Sequence, residues 1–239
     1  MASAIVVGGA GRMGRLVREG LLAKGLEVLG SYDVDNIDEL DELAPAADVA
    51  VDFSAPTALQ HTLAYARRTG AAVVSGTTGL SAGQLDELRA LGEKNRVIWA
   101  SNYSLGVAAL RQATALVART LAGWDVEIVE THHNQKADAP SGTAKALVAA
   151  VDPAGERPVV GGREGMVGAR VPGEIGVHAV RGGTVAGTHE VHFFGTDEEV
   201  CLAHRATSRQ IFATGAVAAA ARLLERPAGF YDFDALMFG

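Results

Sequence analysis

The chain has 239 residues, of which 48% are hydrophobic and 21% charged, and its formal net charge is −7. This composition is ordinary for a globular protein of one large or two modest domains, and the acidic balance argues against nucleic acid as a partner. Because there is no secretory signal pattern and no apolar run long enough to cross a bilayer, the sequence predicts a cytoplasmic protein that does not bind membranes. The single cysteine, Cys201, excludes an internal disulfide framework and is interpreted as a packing residue.

The first hundred residues alternate short apolar strands with helices. Strands are predicted at 4–7, 27–32, 49–53, 72–74 and 97–100, and helices at 12–24, 56–68 and 81–91. Continuous apolar strands in βα order are typical of a parallel sheet that is buried on both faces. The predicted fold class is therefore α/β, with a doubly wound Rossmann-type parallel sheet.

The pattern changes after Ser104. A long Ala-rich helix is predicted at 105–121, then strands at 124–130, 174–180, 188–194 and 199–206, and a last helix at 210–225. The later strands follow one another without comparable helices, which indicates an open mixed or mainly antiparallel sheet in a second α+β domain. We predict a dinucleotide-binding domain at 1–104 plus 210–239, and a substrate-binding and oligomerisation domain at 105–209.

A glycine-rich turn follows the first strand and opens the first helix, with the sequence Gly8-Gly9-Ala10-Gly11-Arg12-Met13-Gly14. It is a variant of the dinucleotide fingerprint, in which glycine lets a pyrophosphate approach the backbone and the helix N-terminus. Asp33, at the end of the second strand, suits the ribose hydroxyls of adenosine, although a surface turn is the alternative interpretation. Because Val34 and not an arginine follows, we predict that NADH binds at least as well as NADPH.

Two further loops follow strand ends, where a doubly wound sheet presents its ligands. Both are small and polar and suit the nicotinamide end of the cofactor, whereas either loop alone would be an ordinary βα connection. The candidate cofactor contacts in these loops are Gly76, Thr77, Thr78, Ala100, Ser101, Asn102 and Tyr103.

His132, His133 and Lys136 crowd into a predicted loop between a strand and a helix. Imidazole is the side chain best suited to proton transfer near neutral pH, and lysine adds a positive charge. The alternative is that these histidines have only a structural role, but this is less favoured because two histidines and a lysine lie so close together. Two neighbouring histidines with only Asp138 as a nearby carboxylate are a poor zinc set, so no metal is predicted.

The helix that follows is predicted to begin at an N-cap, Ser141, directly after Pro140. Gly142 and Thr143 would then present backbone N–H groups to an anion. Together with Lys136, this favours a carboxylate site next to the proton-transfer residues.

These motifs resemble those of the 4-hydroxy-tetrahydrodipicolinate reductase (dihydrodipicolinate reductase) family of diaminopimelate and lysine biosynthesis. The resemblance covers nearly the whole chain, and the family's H-H-x-x-K-x-D-A-P-S-G-T signature is complete from His132 to Thr143. Three later segments also resemble the family: Arg181–Gly183, Gly187–His189 and His204–Arg209. A short connection at 34–47 is a departure that bears on the adenosine pocket.

The resemblance implies the reduction of 4-hydroxy-tetrahydrodipicolinate to tetrahydrodipicolinate, with loss of water and with NADH or NADPH as cofactor. It implies a small cyclic imine dicarboxylate as substrate and a homotetramer as the assembly. His132 would be the acid/base residue, Lys136 a proton donor that faces a carboxylate, and His133 a substrate contact. Ser141, Gly142 and Thr143 would form the carboxylate cradle.

Two other functions remain open at this point. Another two-domain NAD(P)-dependent imine or amino-acid dehydrogenase would share the glycine turn but has no need of the full block from His132 to Thr143. A non-enzymatic dinucleotide sensor would need no proton-transfer set.

Overall fold

The computed structural model describes residues 1–239. The chain forms two compact units, Met1–Leu105 with Gln210–Gly239, and Gly106–Arg209. No helix is both long and apolar enough to cross a membrane.

The strands of the first unit form a six-stranded sheet in the order β11-β5-β4-β3-β1-β2, and every pairing is parallel. They are β1 (Ser3–Val7), β2 (Glu27–Tyr32), β3 (Val49–Asp52), β4 (Ala72–Ser75), β5 (Arg96–Trp99) and β11 (Gly229–Tyr231). Strands β3 and β4 are buried along their whole length, as their unbroken apolar sequence predicts for central strands. The predicted Rossmann-type sheet is confirmed.

The helices of the first unit begin and end at local sequence signals. They are α1 (Arg12–Ala23), α2 (Glu39–Glu42), α3 (Leu59–Thr69), α4 (Ala82–Leu91), α7 (Gln210–Leu224) and α8 (Phe233–Phe238). Ser81 and Gln84 form a reciprocal capping box at the start of α4, which satisfies two backbone donors. Gly70 ends α3 in the left-handed conformation, at φ 76°.

Three short elements of this unit were not predicted: α2, β11 and α8. Each has six residues or fewer, too few for a hydrophobic period to show. Strand β11 exists because Phe230 pairs in parallel with Val97 of β5, a contact between distant parts of the chain that leaves no local signal. The last segment therefore adds an edge strand to the sheet as well as helices.

The second unit is built on a five-stranded sheet in the order β10-β9-β6-β8-β7. The elements here are α5 (Leu105–Thr120), β6 (Asp125–His132), α6 (Gly142–Val151), β7 (Val159–Val160), β8 (Ile175–Arg181), β9 (Gly187–Phe194) and β10 (Glu199–Ala206). Strand β9 is antiparallel to β6 and β10, whereas β8 is parallel to β6 and β7. The sheet is therefore evenly mixed, within the predicted class but less antiparallel than its glycine-rich sequence suggested.

The two faces of this sheet differ in burial. Buried residues alternate along β6 and β9, and those of one face pack with α5 and α6 around Ile128, Leu147 and Phe193. The other face, which we call the open face, carries Glu127, Glu190, His192, Glu199 and Cys201. Cys201 is exposed, so its interpretation as a packing residue is wrong.

Candidate active site

Glu130 is a fully buried carboxylate on β6, on the face that α6 covers. Its Oε2 lies 2.5 Å from Nδ1 of His132, and both of its oxygens accept 2.8 Å hydrogen bonds from the guanidinium of Arg181. The backbone N–H of Ser141 donates a further hydrogen bond of 3.1 Å. One buried acidic group therefore holds β6, β8 and the start of α6 in a fixed arrangement.

The charge state of Glu130 follows from these contacts. Burial alone would raise the pKa of its carboxyl, but the hydrogen bonds from Arg181, His132 and Ser141 outweigh burial and hold the pKa below its usual range. Glu130 is therefore ionised at neutral pH, and its bond to a guanidinium is bidentate and charge-assisted. A buried charge of this kind is tolerated only because every lone pair has a partner.

His132 is the last residue of β6 and not a loop residue as predicted, because β6 stays paired with β8 up to His132 and Arg181. An ionised carboxylate cannot donate a proton, so the contact with Glu130 assigns a hydrogen to Nδ1. The other ring nitrogen, Nε2, is then the atom that can exchange a proton with a ligand. The side chain of His132 is 11% exposed, which limits access to one side of the ring.

A second histidine, His189 on β9, packs edge-to-face against His132 with 5.1 Å between ring centroids. Its Nε2 lies 3.1 Å from the hydroxyl of Ser141. Burial, followed by the neighbouring charge of His132, lowers the pKa of His189 to about 4. This ring is therefore neutral at physiological pH.

Ser141 is the N-cap of α6, as the sequence predicts. Its backbone is extended and its hydroxyl accepts a 3.2 Å hydrogen bond from the N–H of Ala144. Gly142 is exposed and Thr143 half-buried in the first turn, and that turn contains no acidic side chain. A helix N-terminus of this kind favours an anion.

Lys136 and His133 lie in the connection between β6 and α6. The ammonium of Lys136 is 2.7 Å from Oδ1 of Asp138, and this contact holds the pKa of the Asp138 carboxyl below its usual range. His133 is half-buried, and its backbone N–H donates to the carbonyl of Val185. Lys136 therefore pairs with an exposed carboxylate that a charged ligand can replace.

The glycine turn of the first unit is closely packed. Gly8 has φ +81°, and a Cβ there would lie 2.7 Å from the carbonyl oxygen of Phe53. A Cβ on Gly14 would lie 2.1 Å from the carbonyl oxygen of Gly8. Only glycine fits at either position, so the backbone between β1 and α1 can come as close to a ligand as the fingerprint requires. Helix α1 begins without a side-chain cap at Gly11.

Asp33 follows β2 and faces this turn. Both of its oxygens accept the N–H of Ala10, at 3.0 and 3.1 Å. A cavity of about 530 Å³ opens beside it, within the size range of ligand pockets. Its lining consists of Gly9, Ala10, Arg15, Arg18, Glu19, Leu22, Ser31 and Asp33. Arg15 and Arg18 thus bring positive charge to the cavity beside Asp33, where Val34 supplies none.

The two remaining loops contain both exposed and buried candidates. Thr78 and Ser101 are exposed, and Gly76, Ala100 and Asn102 are half-buried. By contrast, the side chains of the other two candidates are internal. The hydroxyl of Thr77 donates to Asp52, and that of Tyr103 donates to the carbonyl of Ser75 at 2.8 Å.

Asp52, at the end of β3, was not singled out by the sequence. It is completely buried, and it accepts hydrogen bonds from Ser54, Thr62 and Thr77. Burial raises the pKa of its carboxyl, and these donors oppose the rise. Asp52 thereby fixes the loops after β3 and β4, at the edge of the sheet where ligands bind.

Two family models match this chain. The model described as the N-terminus of dihydrodipicolinate reductase matches residues 2–103, and the model described as its C-terminus matches residues 106–237. The chain belongs to the dihydrodipicolinate reductase family. The predicted family is therefore confirmed.

Curated relatives in this family agree over nearly the full length. A 4-hydroxy-tetrahydrodipicolinate reductase of Exiguobacterium sp. (strain ATCC BAA-1283 / AT1b) is 36% identical over 97% of this chain and 94% of the relative. The protein of the same name from Xanthomonas axonopodis pv. citri (strain 306) is 40% identical over 95% of this chain and 94% of the relative. Both matches span the two units.

Solved structures share the fold. A dipicolinate-bound dihydrodipicolinate reductase from Paenisporosarcina sp. TG-14 covers 97% of each chain with a TM-score of 0.79 at 23% identity. The scyllo-inositol dehydrogenase from Lactobacillus casei covers 99% of this chain and 93% of that chain, with a TM-score of 0.59 at 12% identity. The predicted combination of a Rossmann-type sheet with a second α+β domain is thus confirmed.

Against this family background, sequence reasoning left Glu130, Arg181, His189 and Asp52 without a role. Three of them lie in stretches that resemble the family: the first residue of the Glu130–Ala144 block, the Arg181–Gly183 piece and the Gly187–His189 piece. The resemblance to the family could therefore have pointed to Glu130, Arg181 and His189. Asp52 ends an apolar strand with a carboxylate, which a parallel strand buried on both faces does not otherwise tolerate.

Proposed function

We propose that this chain reduces 4-hydroxy-tetrahydrodipicolinate to tetrahydrodipicolinate with NADH or NADPH, releasing water, in diaminopimelate and lysine biosynthesis. The reaction consumes one hydride and one proton and produces NAD(P)⁺. Membership of a family of nicotinamide-dependent reductases supports the reaction class. The observation that carries the proposal is the Glu130–His132 pair beside the N-terminus of α6 and Lys136. It joins a proton-transfer group to a site for a carboxylate.

The first unit has the features that a dinucleotide requires. Gly8 and Gly14 leave room for a pyrophosphate against the backbone, and α1 directs its uncapped N-terminus to that place. Asp33 would accept the ribose hydroxyls in addition to the N–H of Ala10, because a carboxylate has lone pairs to spare. Arg15 and Arg18 would accommodate a 2′-phosphate. We therefore propose that both NADH and NADPH are used. When bound, the nicotinamide supplies the hydride.

The residues around β6 would manage the proton. Because Glu130 is ionised and accepts the hydrogen of Nδ1, it orients His132 and leaves Nε2 directed away from the carboxylate. Hydride addition to the ring of a cyclic imine leaves a negative charge, which a proton from His132 or Lys136 would quench. General acid–base catalysis of this kind typically contributes ~10²–10⁴-fold. Loss of water from the hydroxylated substrate needs the same kind of group.

The substrate carboxylates would lie at the start of α6. The backbone N–H groups of Gly142 and Thr143 would bind one carboxylate, with the helix dipole contributing about 0.3–1 kcal/mol. The ammonium of Lys136 would leave the carboxylate of Asp138 and bind a carboxylate of the substrate instead. His133 would contact the substrate from the same connection.

The test is the loss of nicotinamide absorbance on addition of freshly generated 4-hydroxy-tetrahydrodipicolinate, with NADH and then NADPH. His132→Gln and Lys136→Ala should each lower kcat by about 10²–10⁴-fold without altering NADH binding or thermal unfolding. His178→Gln, on the open face, is the matched control and should keep full activity. Near-normal turnover in either site variant would refute its role. Tight NADH binding without turnover in the unaltered chain would favour a different imine or keto-acid substrate, or a sensor.

We also propose a cytoplasmic homotetramer. A biosynthetic reductase that draws on NAD(P)H works where that pool is, and the open face offers a sheet surface for assembly, with Phe194 39% exposed at its edge. Light scattering that gave a monomer mass at micromolar concentration would refute the tetramer.

A further inference from the structure

Gly187, the first residue of β9, leaves a small space beside the imidazole of His132. Gly187 is buried, and a Cβ built on it would lie 3.0 Å from Nε2 and 3.4 Å from Cδ2 of His132. The same Cβ would lie 3.8 Å from Cε1 of His189. The side chain that glycine lacks would therefore stand between two imidazole rings.

The distance to His132 suits an oxygen better than a carbon. Non-bonded carbon atoms are most stable about 3.5–4.0 Å apart, so a methyl group on residue 187 would be too close to Nε2. A hydrogen bond between nitrogen and oxygen is about 2.7–3.2 Å long, which includes the distance of 3.0 Å found here. The backbone of Gly187 adds a second restriction, because its φ of +154° is one that L residues rarely adopt.

The hydrogen-bonding state of His132 defines what kind of oxygen fits. Its Nδ1 donates to the ionised carboxylate of Glu130 at 2.5 Å, so Nε2 of the neutral ring carries the lone pair. The atom next to Nε2 must then donate a hydrogen. A carbonyl or carboxylate oxygen cannot do this, whereas a hydroxyl group or a water molecule can.

His189 supplies an independent indication of a ligand at this place. The residue is 4% exposed, its Nε2 lies 3.1 Å from the hydroxyl of Ser141, and its Nδ1 is buried without a hydrogen-bond partner. Buried polar atoms nearly always have a partner, and this nitrogen is one bond from Cε1, the atom of His189 nearest to Gly187. A hydroxyl or a water both donates and accepts, so it would satisfy Nδ1 in either tautomer.

We propose that the space bordered by Gly187, His132 and His189, which we call the hydroxyl pocket, binds the hydroxyl group of the substrate and holds one water molecule when no substrate is bound. This inference rests on the proposed function, which supplies a substrate with a hydroxyl group on its ring. The N-terminus of α6 selects carboxylates, so the two kinds of group would be recognised at different places. Gly187 would thus be a specificity-determining residue, through which the site distinguishes a hydroxylated ring from an unsubstituted one.

The test compares two saturated ring compounds that cannot be reduced, piperidine-2,6-dicarboxylate and its 4-hydroxy derivative, by isothermal titration calorimetry. The unaltered chain should bind the better epimer of the hydroxy derivative about five- to tenfold more tightly, as expected for one net hydrogen bond. Gly187→Ala fills the hydroxyl pocket and should reduce this difference to less than about twofold. Its affinity for the unsubstituted ring should stay within about threefold of that of the unaltered chain.

Gly183→Ala is the matched control for backbone strain. Gly183 precedes β9 on the same hairpin and also has a positive φ, +51°, but a Cβ there meets nothing within 4 Å. This variant should keep the preference for the hydroxy derivative. Loss of the preference in both variants would show that strain, and not the filling of the pocket, is the cause, and would overturn the role of Gly187.

A crystal structure of the unaltered chain without substrate gives a measurement that does not depend on the folding of Gly187→Ala. It should show one water within about 2.7–3.2 Å of Nε2 of His132, on the side of Gly187. Density for no such water would overturn the hydroxyl pocket, and so would equal affinity of the unaltered chain for the two compounds, because the pocket would then hold solvent only.

Failure of the hydroxyl pocket and failure of the proposed function give different results. Both measurements report binding and not turnover. A chain that prefers the hydroxy derivative but does not oxidise NADH or NADPH with 4-hydroxy-tetrahydrodipicolinate would retain the pocket and refute the reaction. A chain that turns over normally but binds both compounds equally would retain the reaction and refute the pocket.

Discussion

The buried carboxylate of Glu130 lies 2.5 Å from Nδ1 of His132, two residues further along the same strand. Because side chains at positions i and i+2 of a strand share a face, this contact is built into β6 before any ligand arrives. Arg181 and the N–H of Ser141 fix the same carboxylate from two other directions. The orientation of the imidazole is thus set by three elements of secondary structure.

Glu130→Gln should therefore reduce kcat far more than KM. An amide keeps the size of the side chain but removes the charge that bonds to the imidazole, and it can present an N–H where Nδ1 needs an acceptor. We expect kcat to fall by about 10²–10³-fold, within the range of general acid–base catalysis, while KM changes little. Steady-state kinetics would measure both constants.

The matched control for this variant is Glu127→Gln. Glu127 lies on the same strand and is also bonded to arginines and to a histidine, His178, but it belongs to the open face. If the two variants lost kcat equally, the contact between Glu130 and His132 would not be the cause of the loss, because Glu127 does not contact His132.

The cavity beside Asp33 makes a prediction about cofactor choice. Arg15 and Arg18 line it. NADPH differs from NADH by a 2′-phosphate, which a guanidinium can bind through bidentate hydrogen bonds. Arg15→Ala and Arg18→Ala should each raise the KM for NADPH by about tenfold and leave the KM for NADH within about twofold. The double variant should be strongly selective for NADH.

Arg89→Ala is the control for this pair, since Arg89 is an exposed helix residue paired with Asp86 and does not line the cavity. Equal increases in the KM of both cofactors after removal of Arg15 or Arg18 would contradict the assignment of the 2′-phosphate. Such a result would instead indicate a general role of these charges in attracting dinucleotides.

Asp52 predicts a large effect on stability from a residue outside the proposed chemistry. Asp52→Ala would leave the hydroxyls of Ser54, Thr62 and Thr77 without their acceptor, and each buried orphaned group costs about 1–3 kcal/mol. We expect the free energy of unfolding in urea to fall by about 2–5 kcal/mol, with a raised KM for the cofactor because two ligand loops lose their anchor. Thr62→Val removes a single bond and should cost about 1 kcal/mol. A loss below 1 kcal/mol in Asp52→Ala would contradict this account.

The sequence predicts the parallel sheet and its helices well because its strands are continuous apolar runs and its helices have local stop and start signals. Strand β11 and helix α8 escaped because one depends on pairing between Phe230 and Val97, and the other is only six residues long. The extension of β6 through His132 also depends on a distant partner, Arg181 on β8. Tertiary pairing of this kind overrides local preference.

In the candidate site, too, features that are close in sequence could be predicted, and features that depend on tertiary pairing could not. The types of residue needed for proton transfer and carboxylate binding could be predicted from the Glu130–Ala144 stretch, since they are close together in sequence. The convergence of Arg181 and His189 on that stretch could not, because Arg181 is 51 residues from its partner Glu130 and His189 is 48 residues from its partner Ser141, and only the sheet brings them together. The exposure of Cys201 was missed because both faces of an alternating strand look alike until one of them is covered.

His189 gives a prediction about stability and pH. Its pKa is lowered to about 4 from the ordinary 6.5, chiefly by burial. The unfolded chain therefore takes up a proton below pH 6.5 that the folded chain refuses until about pH 4. His189 therefore does not reduce the free energy of unfolding above pH 6.5. As the pH falls from 6.5 toward 4, the free energy of unfolding decreases by up to about 1.4 kcal/mol per pH unit.

Urea titrations between pH 7.5 and 4.5 would measure this slope. His189→Gln should make it shallower without removing it, because burial also lowers the pKa of His204, and it should lower stability at pH 7.5 through the lost contact with Ser141. The window separates this effect from that of Glu127, whose pKa is about 2 because hydrogen bonds from Arg163, His178 and Arg170 outweigh the effect of burial. The contribution of Glu127 is present above pH 4.5 and fades only below it, so it does not alter the slope between 6.5 and 4.5. If His189→Gln and the unaltered chain lost stability in parallel over that range, the neutral state of His189 would not be the cause.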